Sequence, residues 1–312
     1  MISVLDKLVF QVFEFVLEPE ERIVFPHFKG NVFRGSLGKA LRRLTCASGL
    51  NECKDCLLSN NCIYSRIFES FNPGVNQSIL GKVEKAPHPY IVDVNEKNQL
   101  EYSRNQDIRF RLTLIGEAMK YISYFILAFI DIGESGIGRN RGCFKIKEVR
   151  AGGQEIYNAL KKKVTLDFDS ISGSRFSSEK WNKSSLNISL ETPLRLKYRH
   201  RLQKQITFQM IVSNLLRRVY LLANHYCGGP ASIDMKELIE MSKKVVLVNS
   251  EIYWHQQGRY SYRQNRGVSM AGVSGTLEFE GDFSPFIGFL RIGEYLHLGK
   301  GTSFGLGKIK VS

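Results

Sequence analysis

Hydrophobic positions along this chain switch between two spacings, and the switches fall in the same order twice. Val4–Leu17 is an apolar, β-rich run that predicts a strand. After PHFKGN, residues Phe33, Leu37, Ala40, Leu41 and Leu44 recur at helical spacing, which predicts a core-facing helix over Asn31–Thr45. Arg34, Lys39, Arg42 and Arg43 fall largely on its other faces. A cysteine-rich loop follows, then a stretch carrying Pro73, Pro87 and Pro89. Tyr90–Val94 and Ile108–Ile115 predict strands, Met119–Ile132 an apolar helix, and Phe144–Val149 a further strand. The order is β-α-β-β-α-β.

The second half repeats it. Ser185–Lys197 alternates as a strand, and Lys204–Tyr226 is amphipathic, with Phe208, Ile211, Leu215, Val219 and Leu222 on one face. Ile233–Ser242 predicts an additional helix. Val245–Trp254 and Gly272–Glu280 predict strands, Ser284–Leu296 a helix, and Ile309–Val311 the last strand. Between the halves, residues 151–184 are polar and rich in Gly, Ser and Lys, with a small hairpin expected around Val164–Phe168. The expected fold is α+β: two tandem ferredoxin-like domains of the topology that RNA-recognition domains also use. Their expected bounds are 1–152, with a cysteine-rich insertion at 46–65, and 185–312, with 153–184 connecting them. Topology alone settles little about function.

A length of 312 residues is consistent with two domains, and a hydrophobic content of 43% is enough for real cores. The net charge of +14 favours an acidic partner, either nucleic acid or a membrane surface. No uninterrupted apolar run approaches the roughly 18 residues of a membrane-spanning helix. MISVLDKLVF has an early acid and no secretory h-region, so no signal peptide is expected. Four of the six cysteines are clustered and two are isolated, which does not suggest a secreted disulfide framework; a reducing cytoplasm is the expected location.

The residues that could carry chemistry lie mostly between these elements. GKGTSFGLG, Gly299–Gly307, holds Gly299, Gly301, Gly305 and Gly307 beside Lys300; GESGIGRNRG, residues 133–142, is a similar cluster that carries Arg139 and Arg141. Glycine permits positive φ, and such a loop can turn successive N–H groups onto one anion. The plain alternative is a tight helix-to-strand turn. Cys46, Cys53, Cys56 and Cys62 have spacings that can close a tetrahedral all-sulfur site. Zinc, an iron–sulfur cluster and unligated thiols all remain open there, and with four sulfur ligands a metal would be structural.

Of the six histidines, His225 suits a core or capping role, His88 lies between two prolines in an expected loop, and His200 in RLKYRHRLQK suits a phosphate contact or a solvated hairpin end. His27, before the first helix, and His297, beside the terminal glycine loop, are candidate general acids or bases. Arg259–Arg266 (RYSYRQNR) interleaves basic and aromatic residues, a pattern that can stack on bases and pair with phosphates. The chain holds no Ser-His-Asp spacing, Walker loop, HExxH or paired carboxylates for two metal ions. A nuclease without a metal has one economical route: the RNA's own 2′-OH attacks the adjacent phosphate, needing only a base, an acid and cationic stabilisation.

Taken together, FKGNVFRGSLGKALRRL, the C…CxxC…CxY run with Phe68-Glu69, GIGRNRGCF, TPLRLK, WxxxxRYSYRQ, AGVSG and HLGKGTSFGLG resemble the CRISPR-associated repeat-RNA processing endoribonucleases of the RAMP superfamily, the "Cas six" family. The resemblance spans nearly the whole chain. It implies metal-independent transesterification within CRISPR repeats, leaving a 5′-hydroxyl and a 2′,3′-cyclic phosphate. The expected catalytic residues are His27 or His297, with Tyr260 and Lys39 as helpers. Arg34, Arg139, Arg141, Lys197, His200, Arg259, Arg263, Lys300 and the four loop glycines would bind RNA. Expected partners are CRISPR repeat RNA, a CRISPR effector complex receiving the product, and a second copy of the chain. The alternatives are a non-catalytic RNA-binding subunit of an effector complex and a zinc-stabilised nucleic-acid-binding regulator.

Overall fold

The computed structural model describes residues 3–50, 52–70, 86–94, 99–198, 201–256, 258–261 and 266–312. It divides into two compact units: Phe10–Ile171, and the residues up to Val9 with Ser172–Ser312. The chain opens on a short helix, α1 (Val4–Lys7), where the apolar run predicted a strand. The Ser3 hydroxyl accepts from the Leu5 N–H, Val4 and Leu5 are buried, and the Val4 N–H donates to Ser232 O at 3.0 Å. These contacts tie the first residues to the second unit.

The first unit contains β1 (Val9–Pro19), β2 (Ile23–Val24), α2 (Lys29–Thr45), β3 (Tyr90–Val94), β4 (Glu101–Tyr102), β5 (Ile108–Ile115), α3 (Ile122–Ser135), β6 (Phe144–Ala151), β7 (Gln154–Asn158), β8 (Lys163–Val164) and β9 (Ile171–Ser172). Its sheet runs β3-β5-β1-β6-β7-β8, with β9 also on β1. The first four strands in that order are the second, third, first and fourth of a ferredoxin-like unit, and the pairs β3–β5, β5–β1 and β1–β6 are antiparallel. α3 starts at Ile122 rather than Met119 because Gly116–Tyr121 winds as a tighter 3₁₀ turn. The core is aromatic: Phe15 stacks on Phe110 at 4.8 Å, and Phe110 meets Phe129 at 4.7 Å. Phe33 of α2 packs against the same ring at 5.0 Å. Each such burial contributes about 1.5–3 kcal/mol relative to exposure.

The segment expected to connect the domains is shared between the units. Residues 154–164 form the β7–β8 hairpin on the first sheet, while α4 (Ser174–Ser177) belongs to the second unit. The second unit continues with β10 (Ser185–Leu194), β11 (Lys197–Tyr198), β12 (Arg201–Leu202), α5 (Phe208–Tyr226), α6 (Met235–Ser242), β13 (Val246–His255), β14 (Gly258–Ser261), β15 (Arg266–Ser269), β16 (Gly272–Glu280), α7 (Ile287–Leu296) and β17 (Ile309–Val311). Its sheet order, β13-β16-β10-β17, is again second, third, first, fourth. The duplicated ferredoxin-like fold expected from the hydrophobic pattern is therefore present. α5 begins later than its periodicity suggested because Thr207 caps it, its hydroxyl accepting from the Met210 N–H at 3.3 Å. Among the described residues no helix is long and apolar enough to cross a membrane.

Candidate nucleic-acid interface

Each unit presents one glycine-rich loop. In the first unit, the loop after α3 docks onto the strand that leads into α2. The Arg139 N–H donates to Val24 O at 2.7 Å, the Val24 N–H donates to Asn140 Oδ1 at 2.9 Å, and the Ile137 N–H closes the loop on Gly142 O at 2.9 Å. Glycine is required at this contact: a Cβ on Gly138, at φ 86, would lie 2.6 Å from Val24 O. The loop thereby carries exposed Arg139 and Arg141 beside the strand that reaches His27 three residues later. His27 is exposed, two residues before α2, whose first turn contains no acid. The amino end of a helix favours negative charge, so a phosphate approaching His27 meets a favourable dipole.

Other expected site residues in this unit are placed differently. Lys39 is exposed on α2. Arg34 is half-buried and lies over the Phe68 ring at 4.0 Å, bracing the helix against the turn after the cysteines. Arg43 pairs with Asp131 of α3. His88 and Ser70 Oγ are hydrogen-bonded at 2.8 Å.

In the second unit the terminal glycine loop is held from three sides. The Leu298 N–H donates to Gly307 O at 2.8 Å, Gly307 N–H to Pro193 O at 3.1 Å, Lys300 N–H to Arg195 O at 3.0 Å, and Gly299 N–H to Asn214 Oδ1 at 2.8 Å. Phe304 and Gly305 N–H close local turns on Gly301 and Thr302, both at 2.9 Å. Six of the loop's backbone N–H groups, those of Gly299, Lys300, Phe304, Gly305, Leu306 and Gly307, are thus engaged within the protein. The glycines answer a packing demand: a Cβ on Gly307, at φ 72, would lie 1.8 Å from Leu298 O, and one on Gly299 would lie 2.7 Å from Arg195 O.

His297 belongs to this scaffold. It is 2% exposed, ends α7 at φ 55, donates its N–H to Gly293 O at 2.9 Å, and sets Nδ1 3.3 Å from Leu306 O. A side chain so enclosed cannot meet an RNA hydroxyl unless the loop opens.

What the loop offers an anion is side-chain charge. Lys300 is exposed as a residue, yet partial desolvation and then the positive charges of Lys197, Arg217 and Arg218 pull its pKa down. Every charge acting on it is positive. Arg218, on α5, is 7% exposed. Its Nε donates to Leu296 O at 2.8 Å, while its buried Nη2 has no hydrogen-bond partner among the described residues. Burial lowers the Arg218 pKa to about 10. Asn214 and Arg218 lie one helical turn apart, so a single face of α5 grips both ends of the segment Leu296–Gly299. Arg195 is different: it donates to Ala271 O at 3.0 Å and Ser269 O at 2.9 Å, and serves the backbone.

The field of Lys197 thus reaches Lys300, and Asn214, Arg217 and Arg218, which no sequence motif marks, join this surface. A signal was present: in NLLRRVYLL, Arg218 interrupts the apolar face formed by Leu215, Val219 and Leu222. Arg259 and Tyr260 lie on β14, opposite Val268 and Gly267 of β15; their side chains, like all of Arg263 and His200, fall outside the described residues. Cys46, Cys53, Cys56 and Cys62 line one cavity beyond the end of α2. Among the described residues, no three His, Cys, Asp or Glu side chains meet at metal-binding distance.

Comparisons with known proteins bear on this arrangement. Residues 188–309 match the family model of the CRISPR-associated endoribonuclease Cas6, and residues 8–167 match a family model described as an N-terminal domain. The chain is 22% identical over 296 residues, 92% of each sequence, to an uncharacterized protein of Archaeoglobus fulgidus. Its fold is similar to a Cas6 product complex (TM-score 0.60, 12% identity, 97% of this chain and 99% of that one). It is likewise similar to Thermus thermophilus Cas6 (TM-score 0.56, 11% identity, 98% and 99%). At these identities the structural likeness is one of fold.

Proposed function

We propose, on the premise that the chain belongs to the family of the CRISPR-associated endoribonuclease Cas6, that it binds CRISPR repeat RNA and cuts it by 2′-OH transesterification. The observation that carries the choice of base is the contrast between two histidines. His27 is exposed beside a loop bearing Arg139 and Arg141, whereas His297 is enclosed by the terminal loop. In the proposed step the His27 imidazole takes the proton of the 2′-OH, whose oxygen forms a bond to the adjacent phosphorus. The bond from phosphorus to the 5′-oxygen breaks, and that oxygen takes up a proton from an acid such as Lys39. The products are a 5′-hydroxyl and a 2′,3′-cyclic phosphate, with no water consumed. The cluster of Lys197, Arg217, Arg218 and Lys300 supplies the charge that holds the RNA backbone.

The test is cleavage of an end-labelled repeat RNA from the source's own CRISPR array, in excess EDTA. The same RNA with a single 2′-deoxy substitution at the mapped cut is run beside it, and circular dichroism confirms that the protein stays folded. A single cut that the substitution abolishes supports the reading. Cleavage lost in EDTA from a folded protein refutes it. The burial of His297 also favours a second reading, a non-catalytic RNA-binding subunit of a CRISPR effector complex, because it withdraws one member of the expected acid–base pair. Tight binding without a cut would select that reading.

A further inference from the structure

We propose that the four cysteines after α2 form a structural site for a thiophilic divalent cation, zinc, whose role is to fix the segment from Cys46 to Cys62. The first argument is placement. Cys46 ends α2, Cys53 and Cys56 bracket one 3₁₀ turn and Cys62 follows the next turn, yet all four line one cavity of about 210 Å³. Local bonds set each of them: Cys46 N–H donates to Arg42 O at 2.9 Å, Cys56 N–H to Cys53 O at 3.2 Å, and Cys62 N–H to Leu58 O at 2.9 Å. The second argument is that this segment has little else to hold it. Among the described residues its secondary structure is a 3₁₀ turn of three residues; Leu57 is fully exposed, and Leu50 and Leu58, which also line the cavity, are only half-buried. A stretch that buries so little apolar surface cannot offset its own ordering entropy and needs a staple.

The donor chemistry then selects the ion. Four sulfurs and no carboxylate or imidazole line the cavity, which suits zinc and disfavours magnesium or calcium. Ser48 Oγ lies between two of the sulfurs, 3.3 Å from Cys56 Sγ and 3.9 Å from Cys46 Sγ. Those sulfurs are therefore at most 7.2 Å apart (3.3 Å plus 3.9 Å), against about 3.8 Å across a tetrahedral site with zinc–sulfur bonds of about 2.3 Å. Binding must draw the turns together and turn the Ser48 hydroxyl out, a movement within one short loop. All four positions would be protein sulfur, so the ion would leave no open position for substrate.

The test uses the full-length protein purified without chelator. Elemental analysis should find equimolar zinc, which an organomercurial should release as it titrates the thiols. Cobalt exchanged into the site should show thiolate-to-cobalt charge transfer and the intense visible bands of tetrahedral sulfur coordination. Cys53→Ser should lose both signals, while the double variant C143S/C227S keeps them, which guards against general unfolding. Zinc absent with all four thiols open to a disulfide reagent would overturn the site. So would iron and labile sulfide in place of zinc, or cobalt spectra unchanged in Cys53→Ser. None of these readouts depends on ribonuclease activity, so the site stands or falls apart from the proposed reaction.

Discussion

Replacing Arg218 by methionine separates binding from stability more sharply than any other single change. The guanidinium is nearly inaccessible, and burial pulls its pKa down to about 10, on the order of 3 kcal/mol against the charged form in the folded protein. Against this, the charge-assisted bond from Nε to Leu296 O returns about 1.5–3 kcal/mol. Methionine has a similar reach and fits the apolar face of Leu215, Val219 and Leu222, but leaves Leu296 O to find another donor. The expected result is a net change in unfolding free energy within about 1.5 kcal/mol of zero, of either sign. RNA binding should respond differently. Losing one cation of the cluster should weaken affinity about tenfold and flatten the slope of log K against log salt by about 0.7, the value for one phosphate contact on a single strand. Urea unfolding and repeat-RNA binding between low and moderate salt measure both quantities. A loss of more than about 3 kcal/mol of stability with unchanged affinity and salt slope would show Arg218 to be only a strut, and the reasoning would fail.

Three further outcomes are expected. His27→Ala should reduce single-turnover cleavage of repeat RNA by about 10²–10⁴-fold while binding persists; equal losses in both would move His27 from chemistry to recognition. For Lys300 the sign is set by its lowered pKa: a bound phosphate favours the charged form, so binding takes up a proton and affinity falls as pH rises through that lowered pKa, by at most about tenfold per pH unit. Lys300→Arg should abolish this slope in fluorescence anisotropy between about pH 7 and 10, and a slope that survives the change would assign it to another group. Gly307→Ala must place a Cβ against Leu298 O at positive φ, and should lower unfolding free energy by about 3 kcal/mol in chemical denaturation; a neutral effect would mean that the loop relaxes freely.

Much of the fold was legible because hydrophobic spacing is imposed by packing. Phe33, Leu37 and Leu41 recur at helical intervals because all of them enter the first core, and each is fully buried. Val4–Leu17 was misread for the opposite reason: its apolar content reports burial, but not that Val4 and Leu5 are buried by the second unit while the residues from Phe10 onward join the first sheet. The site was legible where charge and glycine cluster in sequence, as at Lys300 and Arg139. It was illegible where one residue breaks an apolar face. Arg218 reads as a flaw in a core helix until its Nε is seen on Leu296 O. The roles of His27 and His297 were equally open, since position in a motif carries no information about exposure.

The two glycine loops show why the motif is a poor guide to which atoms meet RNA. Both were expected to hold phosphate through glycine, and in both a glycine makes room for a backbone carbonyl, Val24 O in one and Leu298 O in the other. In the terminal loop six backbone donors, those of Gly299, Lys300, Phe304, Gly305, Leu306 and Gly307, hold the loop in place. Recognition must then fall on the side chains the loops carry, Arg139 and Arg141 on one and Lys300 on the other, with Arg217 and Arg218 behind it. The glycines and the cations therefore answer to different selective demands: a glycine change should act through stability, with binding lost as a consequence, and a cation change through affinity and its dependence on salt. A glycine variant that folds as well as the parent but no longer binds RNA would restore the backbone to the site.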